Sequence, residues 1–165
     1  MKQLDVRQWD RNVFDAIGTQ WMLISAGAEQ VNTMTASWGG MGVLWGKNVV
    51  FAFIRPQRYT KEFVDREATF SLSFLGEEYR RELQYLGKVS GRDEDKIRTA
   101  GLTVARAGDT PYFAEAQVAV ICKKLYAQEL QPGCFVTGEE AEKWYPNRDY
   151  HTVYVGEITE LLVKE

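Results

Sequence analysis

The sequence predicts a mainly β protein with a few helices, in which antiparallel strands form a closed or nearly closed barrel. Three observations predict this class. Short segments rich in aromatic and β-branched residues recur along the chain, glycine or polar turns separate them, and few segments have helical spacing. A parallel nucleotide-binding sheet does not fit. No Gly-x-Gly-x-x-Gly motif follows a first strand, and Gly39-Gly40-Met41-Gly42 lacks that spacing.

The leading segment, Trp9 to Ile17, has apolar residues at helical spacing and predicts a short helix that ends at Gly18. An antiparallel meander of short strands is expected to follow. The predicted strands are Trp21 to Ala28, Met34 to Trp38, Asn48 to Ile54 and Thr69 to Leu75.

Three further helical segments are predicted. Thr60 is expected to cap a helix that runs to about Arg66, because its hydroxyl can accept a backbone N–H. A second helix covers Glu77 to Leu86 and ends at Gly87, and a helical turn or two fall within Asp93 to Ala100. The remaining strands are expected at Leu102 to Ala105, Ala116 to Tyr126 and His151 to Val163.

The 165 residues are expected to form one domain, since 45% hydrophobic and 13% aromatic residues supply a single substantial core. The net charge of −3 gives no general attraction to nucleic acid or to anionic membranes, so any bound anion needs a local cluster of donors. The chain shows neither a signal-like N-terminus nor an apolar run of membrane-spanning length, which predicts a cytoplasmic protein.

The residues that favour metal or nucleophilic chemistry are sparse. Cys122 and Cys134 lack the CxxC spacing of a zinc site, and we interpret both as unpaired thiols. The adjacent glutamates at 77–78 and 139–140 are interpreted as solvated helix faces rather than as a catalytic pair. No metal site is predicted.

Two segments carry the functional signal. Asn32 to Gly40 places small hydroxyl and amide side chains beside glycines, and Arg55 to Thr60 places two guanidinium groups, a phenol and a hydroxyl within six residues. These groups all donate hydrogen bonds to phosphate oxygens. Together the two segments are typical of a site for a phosphate monoester.

The chain resembles the flavin reductase-like family of FMN-binding split β-barrels, which includes flavoredoxin-type proteins. The resemblance covers most of the chain and implies a Greek-key-type antiparallel split barrel. It rests on five segments in the family's order: NTMTASWGGMG at Asn32 to Gly42, FIRPQRYT at Phe53 to Thr60, FSLSF at Phe70 to Phe74, KVSGRDEDK at Lys88 to Lys96 and HTVYVGEI at His151 to Ile158.

The resemblance implies a homodimer with FMN near the subunit interface, its isoalloxazine ring against the first segment and its phosphate near the second. Asn32 offers a donor and an acceptor for the edge of the flavin ring, although it also fits a turn. Trp38 offers a π-face for the ring, although it also fits a core or interface. If the strand is regular, Asn32, Met34, Ala36 and Trp38 share one face, while Thr33, Thr35 and Ser37 share the other.

At the phosphate end, we expect Arg58, Tyr59 and Thr60 to donate to the phosphate together with the N-terminus of the helix that begins there. The alternative is a turn whose basic side chains are only solvated. Arg55 has two open interpretations, since it fits either the phosphate or a pairing with an acid.

Lys96 and His151 also align with family segments. The resemblance places Lys96 near the flavin or its phosphate tail, with Ser90 and Arg92 as weaker candidates; the alternative is a solvated partner within the charged run that it ends. His151, the only histidine, is implied to lie near flavin and nicotinamide as the catalytic residue, and the alternative is a structural histidine.

The leading hypothesis is therefore an FMN-binding oxidoreductase in which NAD(P)H is the co-substrate and reduced flavin passes electrons to free flavin, oxygen or a partner. The alternative is a flavoredoxin-like electron-transfer protein that keeps FMN and exchanges electrons with a protein redox partner. Two weaker hypotheses are a relative of pyridoxamine-phosphate oxidases and a flavin-free binding module.

Overall fold

The computed structural model describes residues 1–165 and contains ten strands, four α-helices and a few shorter helical turns. The strands are β1 (Lys2–Leu4), β2 (Met22–Ala26), β3 (Asn32–Ala36), β4 (Gly39–Leu44), β5 (Lys47–Ile54), β6 (Thr69–Phe74), β7 (Val104–Ala107), β8 (Thr110–Phe113), β9 (Val118–Glu129) and β10 (Thr152–Val163). The helices are α1 (Tyr59–Arg66), α2 (Arg80–Lys88), α3 (Lys96–Thr99) and α4 (Glu139–Trp144).

Eight strands form one antiparallel sheet with the order β3-β2-β6-β9-β10-β5-β4, and β1 pairs with one end of β10. Consecutive strands β3 and β4 therefore lie at opposite edges of the hydrogen-bonded order, so the barrel stays open between them. Strands β7 and β8 form a separate hairpin. The predicted mainly β fold with few helices is confirmed, whereas a simple meander is wrong because β2 pairs with both β3 and β6.

The long strands β9 and β10 form the centre of the sheet, and their register shifts between Val155 and Gly156. A core of 20 buried residues fills the barrel, among them the fully buried ring of Tyr154. Most of these residues come from β2, β5, β6, β9 and β10, and the others come from β3, α1 and the helical segment before β2. A smaller cluster lies beneath α2, where Leu83 and Leu86 pack with Leu23 and Phe113. This packing fixes α2 beside β3, next to the site described below.

The leading helix differs from its prediction. The segment is helical from residue 13 rather than from Trp9, since the Asn12 side chain accepts from the backbone N–H groups of Phe14 and Asp15. It continues as a π-helix over Asp15–Gln20, so Gly18 does not end it. Trp9 instead packs edge-on against Phe74, with ring centroids 5.5 Å apart.

Several strand predictions were shifted or incomplete. Strand β3 begins at Asn32, two residues earlier than predicted, and it ends at Ala36, while β4 was not predicted at all. The glycines hid β4, which forms a hairpin with β5 through Trp45 and Gly46. Both turn residues have positive φ, at 53° and 70°, as type I′ hairpin turns require. The short strands β1 and β8 and helix α4 were also missed.

The helix boundaries near the site also needed correction. Helix α1 has Arg58 as its N-cap and no side-chain cap, so the prediction that Thr60 caps it was wrong. Thr60 lies inside the first turn, and its hydroxyl accepts a hydrogen bond from Asn32 of β3 instead. Helix α2 begins at Arg80, after a 3₁₀ turn, and includes Gly87.

Two other features of the chain bear on the sequence predictions. Cys122 is buried and Cys134 is exposed, and both are free, as predicted. None of the helices has the length and apolar character needed to cross a lipid bilayer.

Candidate functional site

Two adjoining cavities lie where β3, the N-terminus of α1 and the C-terminus of α2 meet. We call the first, of about 190 Å³, the aromatic cavity, and the second, of about 220 Å³, the basic cavity. The aromatic cavity is lined by Met34, Thr35, Ala36, Ser37, Trp38, Phe53, Arg55, Arg58, Trp144 and His151. The basic cavity is lined by Asn32, Met34, Gln57, Arg58, Tyr59, Thr60, Lys88, Val89, Ser90 and Lys96.

Met34 and Arg58 line both cavities, so the two form one continuous site. Eleven of the twelve residues predicted to bind the cofactor line one cavity or the other, as does His151. The exception is Thr33, which is fully buried on the opposite face of β3. Its hydroxyl donates to the Ile24 carbonyl at 3.0 Å and lies 2.8 Å from the Ser25 hydroxyl, so it joins β3 to β2.

The alternation predicted along β3 holds at Thr33 but not at Thr35, which lines the aromatic cavity beside Met34 and Ala36. Because the strand ends at Ala36, Ser37 and Trp38 leave the pleat, and both line the aromatic cavity. Thr35 lies at the edge of this cavity, and its hydroxyl donates to the Leu83 carbonyl of α2 at 2.6 Å. The end of β3 therefore brings side chains from both predicted faces to one site.

Asn32 ties β3 to the start of α1. Its Nδ2 donates to the Thr60 hydroxyl at 2.9 Å, and both side chains are buried. Its Oδ1 is closely covered by Gly91, where only glycine has room, because an added Cβ would lie 2.1 Å from this oxygen. Asn32 thus lines the basic cavity and also fixes the loop after α2 against the helix.

Three cations line the basic cavity, and none has a carboxylate partner; Lys88 is exposed, whereas Arg58 and Lys96 are partly or fully buried. Arg58 donates through Nη1 to the Gly87 carbonyl at 2.7 Å, and Lys96 donates through Nζ to the carbonyls of Leu86 and Val89 at 3.0 and 2.9 Å. These carbonyls belong to the C-terminal turn of α2, whose partial negative charge favours cations. Burial, with the charge of Arg58, lowers the pKa of Lys96 to about 8, and burial also lowers the pKa of Arg58.

Lys96 is therefore not the solvated lysine of the alternative interpretation, because only 4% of it is exposed. Its charge faces a second cation and a cavity rather than the acids beside it in sequence. Asp95 caps α3 by accepting from the Arg98 backbone N–H. A buried pair of like charges is costly unless an anion joins it.

The uncapped N-terminus of α1 faces the same cavity. Tyr59 and Thr60, the first two residues of the helix, line the cavity with Arg58. The Tyr59 ring is held between Phe63, whose centroid is 4.9 Å away, and the guanidinium of Arg92, which lies 4.5 Å from the ring centroid. Arg92 pairs with Glu62 and does not line the basic cavity, whereas the other weak candidate, Ser90, does.

Arg55 forms an ion pair with an acid. This is the second of the two interpretations that the sequence leaves open. Its guanidinium forms an ion pair with Asp149, donates to the Trp144 carbonyl at 2.9 Å and lies 5.3 Å from the Tyr145 ring centroid. It lines the aromatic cavity rather than the basic one. Arg55 thus fastens the segment after α4 over the cavity.

His151 lies in the aromatic cavity and is 7% exposed. Its Nδ1 is 2.8 Å from the Tyr145 hydroxyl, and its ring lies 5.1 Å from that of Trp38. Burial, followed by the positive charge of Arg55, lowers its pKa to about 4. The imidazole is therefore neutral at physiological pH.

Sequence reasoning missed the residues that α4 and its following loop supply. Trp144 is half exposed at the mouth of the aromatic cavity, edge-on to Trp38 with centroids 4.9 Å apart, and Tyr145 lies beside His151. Phe53, Gln57, Lys88 and Val89 were missed as well. The adjacent aromatics Trp144 and Tyr145, six to seven residues before the only histidine, were the available signal.

Comparisons with known structures agree with this architecture. The FMN-binding domain of a flavin reductase-like enzyme from Shewanella baltica OS155 is 15% identical, with a TM-score of 0.70, over 97% of this chain and 75% of that one. Flavoredoxin of Desulfovibrio vulgaris (Miyazaki F) is 23% identical, with a TM-score of 0.69, over 98% and 78%. The NADH:FAD oxidoreductase of Streptomyces globisporus C-1027, in complex with NAD and FAD fragments, is 16% identical, with a TM-score of 0.67, over 88% and 75%.

These likenesses show that the fold is the split barrel of flavin reductase-like proteins. A search of the curated proteins finds no match. The model of the flavin reductase like domain matches residues 14–165, which is nearly the whole chain. The protein therefore belongs to the flavin reductase-like domain family.

Proposed function

We propose that this protein is an FMN-binding oxidoreductase, with NAD(P)H as the reductant of its flavin. The proposal rests on two partly or fully buried cations, Arg58 and Lys96. They lie together at the uncapped start of α1, directly beside the aromatic cavity. A phosphate monoester attached to a planar ring system supplies both the missing anion and the apolar partner.

The basic cavity fits the phosphate. Arg58 and Lys96 each direct part of their donors to carbonyls of α2, which fixes their positions, and both side chains line the cavity. The Thr60 hydroxyl and the first backbone N–H groups of α1 add neutral donors. A bound dianion would offset the repulsion between the two cations and would raise the pKa of Lys96 again.

The aromatic cavity fits the flavin ring. Met34 and Ala36 supply apolar contacts from β3, while Trp38, Trp144 and His151 form an aromatic wall. When bound, FMN supplies the redox chemistry by taking up a hydride from the nicotinamide and passing the electrons on. The residues of the chain orient the two rings, exclude water and offer a hydrogen bond from His151.

A homodimer with the flavin near its interface is part of the proposal. The aromatic cavity is open to solvent at Trp38 and Trp144, which are 38% and 42% exposed, so a second copy of the chain would complete its enclosure. Sedimentation of the FMN-loaded protein is expected to give a dimer, and a monomer with FMN fully bound would contradict this arrangement. A location in the cytoplasm stays a prediction.

The second candidate function is flavoredoxin-like electron transfer to or from a protein redox partner. The same two exposed tryptophans favour it, because aromatic side chains at the mouth of a redox site are typical contacts for a partner protein. In that case FMN stays bound, NADH and NADPH reduce it slowly, and a protein donor reduces it rapidly.

The visible spectrum tests the proposal. The purified protein with FMN is expected to retain the flavin absorption band after gel filtration and to lose it on anaerobic addition of NADH or NADPH. Slow loss with both nicotinamides would favour electron transfer between proteins, and a colourless protein that binds no FMN would contradict both functions.

A pair of variants tests the phosphate site. Arg58→Met is expected to weaken FMN binding about tenfold to a hundredfold, as the loss of a charge-assisted hydrogen bond predicts. Arg66→Met, in the same helix, removes an exposed arginine that pairs with Glu67 and lies over the Phe63 ring. Neither of these residues lines the two cavities, so this variant is expected to bind FMN normally. Equal FMN affinity in both variants would show that Arg58 does not bind the phosphate. Riboflavin, which lacks the phosphate, is expected to bind both variants alike.

A further inference from the structure

Tyr145 is a residue that neither the family motifs nor the predicted site includes. Its hydroxyl lies 2.8 Å from Nδ1 of His151, and the two rings meet edge-on with centroids 5.6 Å apart. The Tyr145 ring is itself held by Phe135, Tyr150 and the guanidinium of Arg55. The phenol is therefore placed rigidly beside the imidazole.

The direction of this hydrogen bond follows from the partners available. Nδ1 is the one acceptor within hydrogen-bond distance of the Tyr145 hydroxyl. If Nδ1 carried the proton and donated it, the buried phenol would keep a proton without an acceptor, which is costly. If the phenol donates instead, both groups are satisfied, and the imidazole carries its single proton on Nε2.

The other imidazole nitrogen is free to act in the site. Nε2 makes no hydrogen bond within the chain, and it is not among the buried polar atoms that lack a partner, so it retains access to solvent. His151 is one of the residues that line the aromatic cavity. Its Nε2–H can therefore reach a hydrogen-bond acceptor of a ligand bound there.

The surroundings of His151 keep its imidazole neutral. Only a neutral imidazole has two tautomers, so only this form can be held in one of them. Arg55 and Arg58 disfavour the imidazolium, Asp149 favours it, and burial outweighs that attraction, so the pKa of the imidazole is lowered. Burial also raises the pKa of Tyr145, so the phenol keeps its proton.

We infer that Tyr145 is a positioning residue that holds His151 in the Nε2–H tautomer, so that the imidazole donates a hydrogen bond to a carbonyl oxygen of the planar ligand in the aromatic cavity. This inference rests on the proposed function for the identity of that ligand. The tautomer itself is a property of the protein without flavin.

Nitrogen-15 NMR of the flavin-free protein tests the tautomer directly, since His151 is the only histidine and gives a single imidazole spin system. At pH 7 the wild type is expected to show one tautomer, with the proton on Nε2 and an Nδ1 signal shifted by the hydrogen bond that it accepts. In Tyr145→Phe we expect both tautomers to appear and the Nδ1 signal to move.

Tyr150→Phe is the matched control. Tyr150 is a buried tyrosine of the same cluster, 4.9 Å from the Tyr145 ring, and its hydroxyl makes no hydrogen bond to His151. This variant is expected to keep the wild-type tautomer and Nδ1 signal. A wild-type proton on Nδ1, or identical imidazole spectra in wild type and Tyr145→Phe, would overturn the inference.

The flavin-loaded protein gives a second, separate readout. Tyr145→Phe is expected to bind FMN within about threefold of wild type but to be reduced by the nicotinamide about tenfold more slowly, as the loss of one positioned donor predicts. If Tyr145→Phe changes the tautomer of His151 but the flavin is still reduced at the wild-type rate, the proposed hydrogen bond to the ligand is wrong and the tautomer assignment stands. A protein that binds no FMN, yet shows the expected spectra, would contradict the proposed function and not the role of Tyr145.

Discussion

Lys96 is the residue whose protonation depends most directly on what occupies the basic cavity. In the structure its ammonium is held by two carbonyls of α2 and lies near Arg58, and its pKa is lowered to about 8. A bound phosphate favours the charged form and raises that pKa. Binding of FMN is therefore linked to uptake of a proton at pH values above 8.

We expect FMN affinity to be nearly constant between about pH 7 and 7.5 and to fall as the pH rises through 8, by up to about tenfold per pH unit. The affinity of Lys96→Met should be weaker and flat across this range, since no group titrates at that position. Titration of FMN fluorescence from pH 7 to 10 measures this. Lys164→Met, an exposed lysine outside the site, serves as the control; if the Lys96→Met curve fell in parallel with wild type, the linkage would be disproved.

His151 makes a second prediction at the scale of one residue. Its pKa is lowered to about 4 in the folded chain, whereas an unfolded histidine titrates near 6.5. Between these two values the unfolded chain binds a proton that the folded chain does not, so stability present at pH 7 is lost as the pH falls from about 6.5 to 4. The loss is on the order of 2 to 3 kcal/mol.

Urea unfolding at a series of pH values checks this. The free energy of unfolding of His151→Gln, minus that of wild type, is expected to rise by this amount between pH 7 and 4 and then to level off. Carboxylates such as Asp65 titrate in both proteins and cancel in the difference. A constant difference over the whole range would mean that His151 is not buried as a neutral group.

At the scale of elements, the site depends on how α4 and its following loop are fastened to the barrel. Helix α4 has six residues and buries none of them, so it is marginal by itself. Its end is held by Arg55, which reaches from the end of β5 to the Trp144 carbonyl and to Asp149. Asp149 also accepts from Gln57 at 2.9 Å. Polar contacts thus tie the wall of the aromatic cavity to the segment that follows β5, in addition to the aromatic packing of Trp144 and Tyr145.

Arg55→Met is therefore expected to loosen this wall without unfolding the barrel. Amide hydrogen exchange in residues 139–150 should accelerate by at least about tenfold, while the central strands β9 and β10 keep wild-type protection. Lys47→Met is the control, because it removes a different ion pair, with Glu157, at the opposite end of β5 from Arg55. Unchanged exchange in residues 139–150 would show that the aromatic packing alone holds the segment.

At the scale of the whole molecule, the sequence predicted the long, regular parts of the fold better than the short ones. The strands near β5, β6, β9 and β10 and helices α1 and α2 were predicted within a few residues, because periodicity over many residues is a strong signal. β4 was hidden by its glycines, and α4 lacks buried residues that would give it a pattern.

The site was predictable to the extent that its residues are adjacent in sequence. The segments at 32–38 and 55–60 were recognisable, whereas Lys96 had two interpretations that only burial separates, and Tyr145 was missed. The contact between Lys96 and the end of α2, and that between Tyr145 and His151, depend on tertiary folding. Local sequence does not encode such contacts visibly.

The position of Gly156 in the central strand β10 gives a prediction for the barrel as a whole. The strand register shifts at this residue, and a Cβ added there would lie 2.7 Å from the Phe70 ring and 2.9 Å from Cβ of Cys122. Both neighbours are fully buried, so neither can move aside into solvent. Gly156→Ala is expected to destabilise the protein by about 1 to 3 kcal/mol through overpacking, measured by urea unfolding.

Gly18→Ala provides the matched control, because nothing lies within 4 Å of the added Cβ and the residue is exposed in a helical segment. It is expected to leave the free energy of unfolding unchanged or to raise it by about 0.5 to 1 kcal/mol. The double variant Gly156→Ala with Phe70→Leu removes part of the ring that the new methyl meets, so its destabilisation should be smaller than the sum of the two single effects. Strict additivity would place the cost of Gly156→Ala in its contact with Cys122 or in the backbone of β10, and not in its contact with Phe70.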